Sequence, residues 1–351
     1  MIKTDIIIIG AGPAGLFAVF EAGLLKLRCH LIDILPNPGG QCSELYPKKP
    51  IYDIPGYPEI LAADLVENLL NQCSQFQPGF TLGERAEKIS KNSKGLFTDV
   101  TDKGTTHQAP VVAIAGGLGG FQPRKPIINN IESYEEKGVS YFIKDPSLYK
   151  NKNVLIAGGG DSALDWTIEL ANIASNVTLI HRRNEFRGTL DSVEKVQELK
   201  NKNKIKLITP AEVVSLIGDD KLKSVEIKIE NSENITLDVD FFIPLFGLTP
   251  KLGPINDWGL EIEKKSIKVD NTLNYQTNVP GIFAIGDINT YPGKLKLILC
   301  GFHEAAMMCQ SAYKIINPDK KLVLKYTTVS GVSGFDGSIK KAEPPIKKSI
   351  D

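Results

Sequence analysis

The feature that most constrains this chain is a glycine pattern that occurs twice, each time between an apolar run and a helical one. The first apolar run, Asp5-Ile-Ile-Ile-Ile9, leads into Gly10-Ala-Gly12-Pro-Ala-Gly15. A helical spacing of apolar residues follows through Leu16, Val19, Phe20 and Leu24, and then a second run, Arg28 to Ile32, that ends at Asp33. An unbroken apolar run suits a strand buried on both faces of a parallel sheet. In that setting Gly10 permits a tight turn, Gly12 lets the backbone approach a pyrophosphate, and Gly15 lets helix and strand pack closely. The phosphates lie at the helix N-terminus, where unpaired N–H groups and the helix dipole favour an anion. Asp33 is placed to accept hydrogen bonds from a ribose hydroxyl.

The pattern recurs as Val154-Leu-Ile-Ala157, Gly158-Gly-Gly160-Asp161-Ser162-Ala163, a helix over 163–174 and the strand Val177-Thr-Leu-Ile180. This copy ends in His181-Arg182-Arg183, followed by Arg187, where the first ends in an acid. A carboxylate there bonds a free 2′-hydroxyl and repels a 2′-phosphate, whereas guanidinium groups make bidentate, charge-assisted bonds to phosphate. The first copy therefore fits FAD. The second fits NADP(H) rather than NAD(H), docked on Gly158, Gly160, Asp161, Ser162 and Ala163 beside His181, with Arg182, Arg183 and Arg187 on the 2′-phosphate. Two such sites in one chain imply hydride transfer between a nicotinamide and a protein-bound flavin. They leave open what the flavin reduces next: a protein carrier, a quinone or free flavin, a second nicotinamide, or nothing, as in a flavin redox sensor.

Composition narrows the class further. Lys+Arg 41 balances Asp+Glu 41, which argues against a nucleic-acid binder. Hydrophobic content of 42% with 23% charged residues is that of a globular chain, and 351 residues suit two or three domains. The five cysteines are odd in number and form no CxxC, so no disulfide scaffold or metal site is read and a reducing cytoplasm is predicted. The uncharged stretch Ile6–Phe20 is too short for a membrane span, which needs about 20 apolar residues, so no membrane association is expected.

Strand-like runs at Lys94–Thr101 and His107–Ala115 precede a glycine turn at Gly116-Gly117, where the first domain crossing is predicted. Lys206–Glu230 holds two more runs about a turn at Gly218-Asp-Asp220, and Asp240–Gly247 reads as a buried strand. The strand Ile282–Ile285, ending in Gly286-Asp287, is predicted to return the chain to the first domain. The expected architecture is α/β: two Rossmann-like three-layer nucleotide-binding domains. An FAD domain over 1–117 and 281–351 holds an inserted NADPH domain over 118–280.

The two fingerprints, Gly281-Ile-Phe-Ala-Ile-Gly-Asp287 and the HRRxxFR run resemble the thioredoxin-reductase-like flavoproteins. Gly39-Gly-Gln41-Cys-Ser-Glu-Leu-Tyr46-Pro, the Asp53–Pro58 run and Gly158–Trp166 resemble the ferredoxin–NADP reductases of that type, over about residues 1–329. Thioredoxin reductases carry a CxxC at the stretch that reads Phe142-Ile-Lys-Asp145 here, and neither end residue can exchange disulfides. The resemblance implies FAD on Ala14 (pyrophosphate), Asp33 (ribose), Gln41, Ala86, Phe121 and Asp287 (ribityl chain), with Tyr46 stacked on the isoalloxazine. It also implies a homodimer in which a C-terminal segment covers the other flavin face; here that segment reads Tyr326-Thr327-Thr328 where the family commonly shows a histidine. Tyr326 can stack and Thr328 can bond the flavin edge. The implied partners are acidic carriers, ferredoxin or flavodoxin, met by a basic surface with Lys48, Lys49, Lys294, Lys296, Lys340, Lys341, Lys347 and Lys348 as candidates.

Overall fold

Each glycine pattern closes a parallel sheet at its carboxyl edge. The computed structural model describes residues 1–119, 122–249, 251–322, 327, 331–335 and 337–340. They divide into two units, Met1–Gly120 with Pro250–Asp351, and Phe121–Thr249.

In the first unit five parallel strands run in the order Ile282–Ala284, Val111–Ile114, Ile6–Ile9, Cys29–Asp33, Gly79–Leu82. Ile6, Ile7 and Ile8 are fully buried, as strands covered on both faces must be. Helices α1 (Pro13–Leu24), α3 (Ala62–Ser74) and α6 (Ile298–Ile316) pack together over this unit, with the short α2 (Gln41–Glu44) against α3. A second sheet pairs Ala86–Lys91, Phe97–Thr101 and Thr106–Ala109 antiparallel, with Ile2–Lys3 parallel at its edge. The run read as one strand over 107–115 is two strands in two sheets, Thr106–Ala109 and Val111–Ile114. Pro110, which has no N–H to donate, separates them. A chain of polar side chains lies in this unit's interior: His30 Nε2 meets Thr81 Oγ1 at 2.8 Å, and that hydroxyl meets His107 Nε2 at 2.9 Å. Asp99 faces His107 across the strand pair, both side chains fully buried.

In the second unit four parallel strands run in the order Lys206–Ile208, Asn176–Ile180, Asn153–Ala157, Phe241–Pro244. Its helices are α4 (Asp161–Leu170) and α5 (Leu190–Asn201). Ala211–Gly218, Leu222–Ile229 and Ile235–Asp238 form an antiparallel sheet. This core is its own cluster, including Leu155, Ile180, Val225 and Phe242.

The return to the first unit is earlier than the predicted 281. Leu248–Thr249 pairs antiparallel with Gln122–Pro123 within the second unit, and the chain beyond belongs to the first. Residues 251–280, expected in the inserted domain, place Leu252, Ile255, Leu260, Ile267, Val269 and Tyr275 in the same buried cluster as Ile6–Ile9. The strand Ser266–Lys268 pairs with Asn289–Thr290, just past the Gly286-Asp287 turn.

This partition has a direct check. Truncating the fully buried Ile267 to alanine costs about 2–5 kcal/mol through lost contacts and a cavity. Amide exchange should quicken in Ile6–Ile9 and Val111–Ile114 and stay unchanged in Asn153–Ala157 and Phe241–Pro244. Faster exchange in the latter pair instead would place Ile267 in the other core.

Candidate functional site

The carboxyl ends of the first unit's strands bring together Gly10–Gly15, Asp33, Gly116-Gly117 and Gly286-Asp287, the edge at which open α/β sheets bind ligands. The turn is fixed by backbone bonds: Gly10 N–H to the Ile32 carbonyl at 2.8 Å, and Ala115 N–H to the Ile9 carbonyl at 2.7 Å. Gly10 adopts φ +112°, and a Cβ there would stand 2.4 Å from the Ala115 carbonyl oxygen. A Cβ on Gly15 would stand 2.1 Å from the Gly10 oxygen, so the helix reaches the strand only as glycine. A Cβ on Gly12, by contrast, would meet nothing within 4 Å. Its backbone faces open space at the N-terminus of α1, a cradle that fits a pyrophosphate.

Asp33 accepts from Ala11 N–H at 2.6 Å through Oδ2 and from Leu35 N–H at 2.9 Å through Oδ1. Burial raises its pKa above the ordinary Asp value, against the pull of those two donors. The carboxylate thus ties the glycine turn to the end of its own strand, and each oxygen keeps a lone pair for a ribose hydroxyl.

Ala14 sits where the turn meets Gly286 and Gly301 of α6; a Cβ on either glycine would come 3.2–3.3 Å from its methyl. Gln41 opens α2, its Nε2 3.5 Å from the position of a Cβ on Gly117. The Tyr46 hydroxyl donates to the buried Cys42 sulfur, and burial pushes the Cys42 thiol up to about 11. Both residues feel the charge of Asp287. The Asp287 carboxyl is half-buried and has no hydrogen-bond partner among the described residues; burial raises its pKa, with Lys294 and Lys296 pulling it back. An unpartnered acid near a half-buried tyrosine fits the polyhydroxyl chain and ring of a flavin. Ala86 is buried at the start of its strand. Phe121, Tyr326 and Thr328 lie outside the described residues, as do the candidate lysines Lys341, Lys347 and Lys348.

The second turn repeats the first. Gly158 N–H donates to the Ile180 carbonyl at 3.0 Å, and Leu245 N–H to the Ala157 carbonyl at 2.8 Å. A Cβ on Gly158 would stand 2.7 Å from Ala163 Cβ, and one on Gly160 would meet nothing. A Cβ on Gly159 would stand 2.4–2.6 Å from three atoms of the His181 ring, which stacks on Phe186 at 5.5 Å. His181 Nε2 is buried without a partner, and burial, reinforced by Arg182, lowers its pKa and favours the neutral ring. Arg187 N–H reaches the Gly159 carbonyl at 2.7 Å, so residues 181–187 fold back onto the turn. Arg182, Arg183 and Arg187 are exposed and carry no ion pair among the described residues. That donor set fits a phosphate monoester. Ser162 lies exposed in the first turn of α4. Asp161 Oδ1 accepts from Thr189 N–H at 2.8 Å, which makes it an anchor of the following loop.

Two features have no readable signal in the sequence. Lys294, a docking candidate, is 5% exposed and ion-paired with the fully buried Glu304; it is withdrawn from any docking surface. Cys42 lies against Tyr46, and a lone cysteine carries no spacing pattern that would reveal it. All five cysteines are free thiols, and residues 121–249 contain none. Among the described residues no helix is long and apolar enough to cross a membrane.

Both turns, the strand-end charges and the switch-point geometry define a dinucleotide-dependent flavoprotein fold. The pyridine nucleotide-disulphide oxidoreductase profile matches residues 4–313, and the chain belongs to that family. It is an oxidoreductase that works with FAD and NADP(H). A ferredoxin–NADP reductase of Flavobacterium johnsoniae is 70% identical over 350 residues, covering the whole of both chains. One of Parvibaculum lavamentivorans is 51% identical, covering 94% of this chain and 96% of its own. Lactococcus lactis thioredoxin reductase superposes with a TM-score of 0.77 at 27% identity, covering 90% of this chain and 100% of its own.

The glycine roles separate experimentally. Gly12→Ala should leave the thermal midpoint nearly unchanged while weakening FAD retention at least tenfold, because its methyl occupies only ligand space. Gly15→Ala should cost about 1–3 kcal/mol of stability by overpacking. Equal losses of stability in the two variants would contradict the assignment.

Proposed function

We propose that the chain passes electrons between NADPH and ferredoxin, with FAD held by the first unit and NADP(H) by the second. The observation that carries this is the repeated turn with opposite charge at its two strand ends: Asp33 bonded to the first, and on the second a segment folded back through Arg187 N–H that carries Arg182, Arg183 and Arg187, none of them ion-paired among the described residues. The ferredoxin–NADP reductases matched over full length support the acceptor. The lack of any cysteine in residues 121–249 speaks against dithiol chemistry there.

Bound FAD supplies the conversion of a two-electron hydride into single electrons. The balance is one NADPH and two oxidised ferredoxins giving NADP⁺, a proton and two reduced ferredoxins. The protein supplies position. The open backbone at Gly12 and the α1 N-terminus hold one pyrophosphate, and Gly160 with the α4 N-terminus holds the other. Asp33 orients a ribose, Asp287 the ribityl chain, and Tyr46, fixed through Cys42, packs on the flavin ring. His181 lines the second turn as a neutral ring, leaving the arginines to carry the charge that selects the 2′-phosphate. Lys48, Lys49, Lys296 and the tail lysines Lys340, Lys341, Lys347 and Lys348 stay as docking cations for an acidic carrier. Flavodoxin as a second carrier, a cytoplasmic homodimer and closure of the flavin by Tyr326 and Thr328 of a partner copy belong to the same proposal, supported by motif resemblance.

The test is steady-state cytochrome c reduction with and without added ferredoxin, using NADPH or NADH. Activity should depend on ferredoxin and prefer NADPH. Arg182→Ala with Arg183→Ala should raise the KM for NADPH roughly 10–100-fold, as expected for losing charged hydrogen bonds, and leave NADH nearly unchanged. An equal rise for both nucleotides would refute the phosphate assignment; turnover indifferent to ferredoxin would refute the acceptor.

A further inference from the structure

Near the start of α6, Glu304 is fully buried, and Lys294 beside it is 5% exposed. The Glu304 carboxylate accepts four hydrogen bonds, two on each oxygen. Oε2 takes Gly286 N–H at 2.7 Å and Asn289 Nδ2 at 2.9 Å. Oε1 takes the Tyr291 hydroxyl at 2.9 Å and the Lys294 ammonium. Asn289 also donates to the Ala284 carbonyl at 2.8 Å. The whole segment from the strand end at Ala284 to Lys294 is therefore wrapped around one carboxylate, and Asp287 sits inside that wrap.

Stability alone does not explain such a pair. Two charges taken out of water cost several kcal/mol each, and an apolar replacement is often as stable. What the pair does uniquely is local. The Asp287 carboxyl feels the charges of both Lys294 and Glu304. Gly286, the residue before Asp287, has φ +74° and only 3.3 Å between a would-be Cβ and the Ala14 methyl. Its N–H is the donor that Glu304 holds.

We propose that Glu304 is a positioning residue of the FAD site. Its carboxylate fixes the Gly286–Asp287 turn and holds the Lys294 ammonium, leaving Asp287 to accept from the ribityl hydroxyls. This rests on the placement of Asp287 given above. With glutamine at 304, the ammonium loses its buried partner and turns to Asp287, drawing that carboxylate away from the cofactor.

The experiment is a double-mutant cycle on the holoenzyme, following FAD release on dilution by the rise in flavin fluorescence. Asp287→Ala and Glu304→Gln should each speed release roughly 10–100-fold, the loss expected for a hydrogen bond to a charged group. Because Glu304 acts through Asp287, the double variant should release FAD no faster than Asp287→Ala alone. Multiplied losses would mean that Glu304 supports the fold independently, and the proposal falls while the Asp287 placement stands. An unchanged release rate in Asp287→Ala would overturn that placement and the proposal with it. Should Glu304→Gln not fold, Lys294→Met with Glu304→Gln removes both buried charges together, a change such pairs tolerate. With no ammonium left to turn to Asp287, FAD release in that pair should return close to the wild-type rate, and release as fast as in Asp287→Ala would overturn the proposal.

Discussion

The Gly10 N–H that donates to the Ile32 carbonyl at 2.8 Å sits in a turn that no side chain can enter. That closeness lets α1 begin immediately after its strand, with the first free N–H groups aimed across the carboxyl edge of the sheet. Asp33 reaches the same turn through Ala11, Ala14 packs where Gly286 and Gly301 approach, and Asp287 follows at once. A methyl at Gly15 would push α1 from the strand and displace all of them together. The second unit solves the same problem with the same bonds, Gly158 to Ile180 and Leu245 to Ala157. Duplicating one backbone device yields two anion-binding helix ends in one chain.

What distinguishes the two sites is charge at the next strand end. An acid bonded to the turn presents acceptors to a ribose; three arginines without carboxylate partners among the described residues present donors to a phosphate. The same logic separates the lysines. Lys294 is consumed by a buried ion pair that organises the turn before Asp287, while Lys49 lies over the Tyr46 ring at 5.9 Å, at the cofactor end of the unit. Position relative to buried carboxylates, rather than residue type, decides which cations face solvent.

The glycine turns and the strands feeding them are legible in the sequence because their chemistry is local: backbone space and helix ends follow from residues a few positions apart. The charge reversal from Asp33 to Arg182 and Arg183 is legible for the same reason. Long-range pairing is not. The return to the first unit lies at a two-residue antiparallel pair, Gln122–Pro123 with Leu248–Thr249, which has no periodicity to read. Residues 251–280 join the first core through single apolar positions such as Ile255 and Ile267, scattered among polar ones. Pro110 splits the strand-like run over 107–115 into Thr106–Ala109 and Val111–Ile114. Lys294 reads as a docking cation and no spacing in the sequence marks Glu304 as its buried partner, while the buried line of His30, Thr81, Asp99 and His107 joins residues from four separate strands. Such groups become functional candidates only once burial brings them together.

The function proposed for this chain requires it to convert a hydride into single electrons for a protein carrier. The most direct measurement is the anaerobic count of ferredoxin molecules reduced per NADPH consumed by the FAD-loaded protein. Two are expected, one for each electron of the hydride. NADPH consumption without ferredoxin reduction would contradict the carrier assignment and leave the dinucleotide architecture intact.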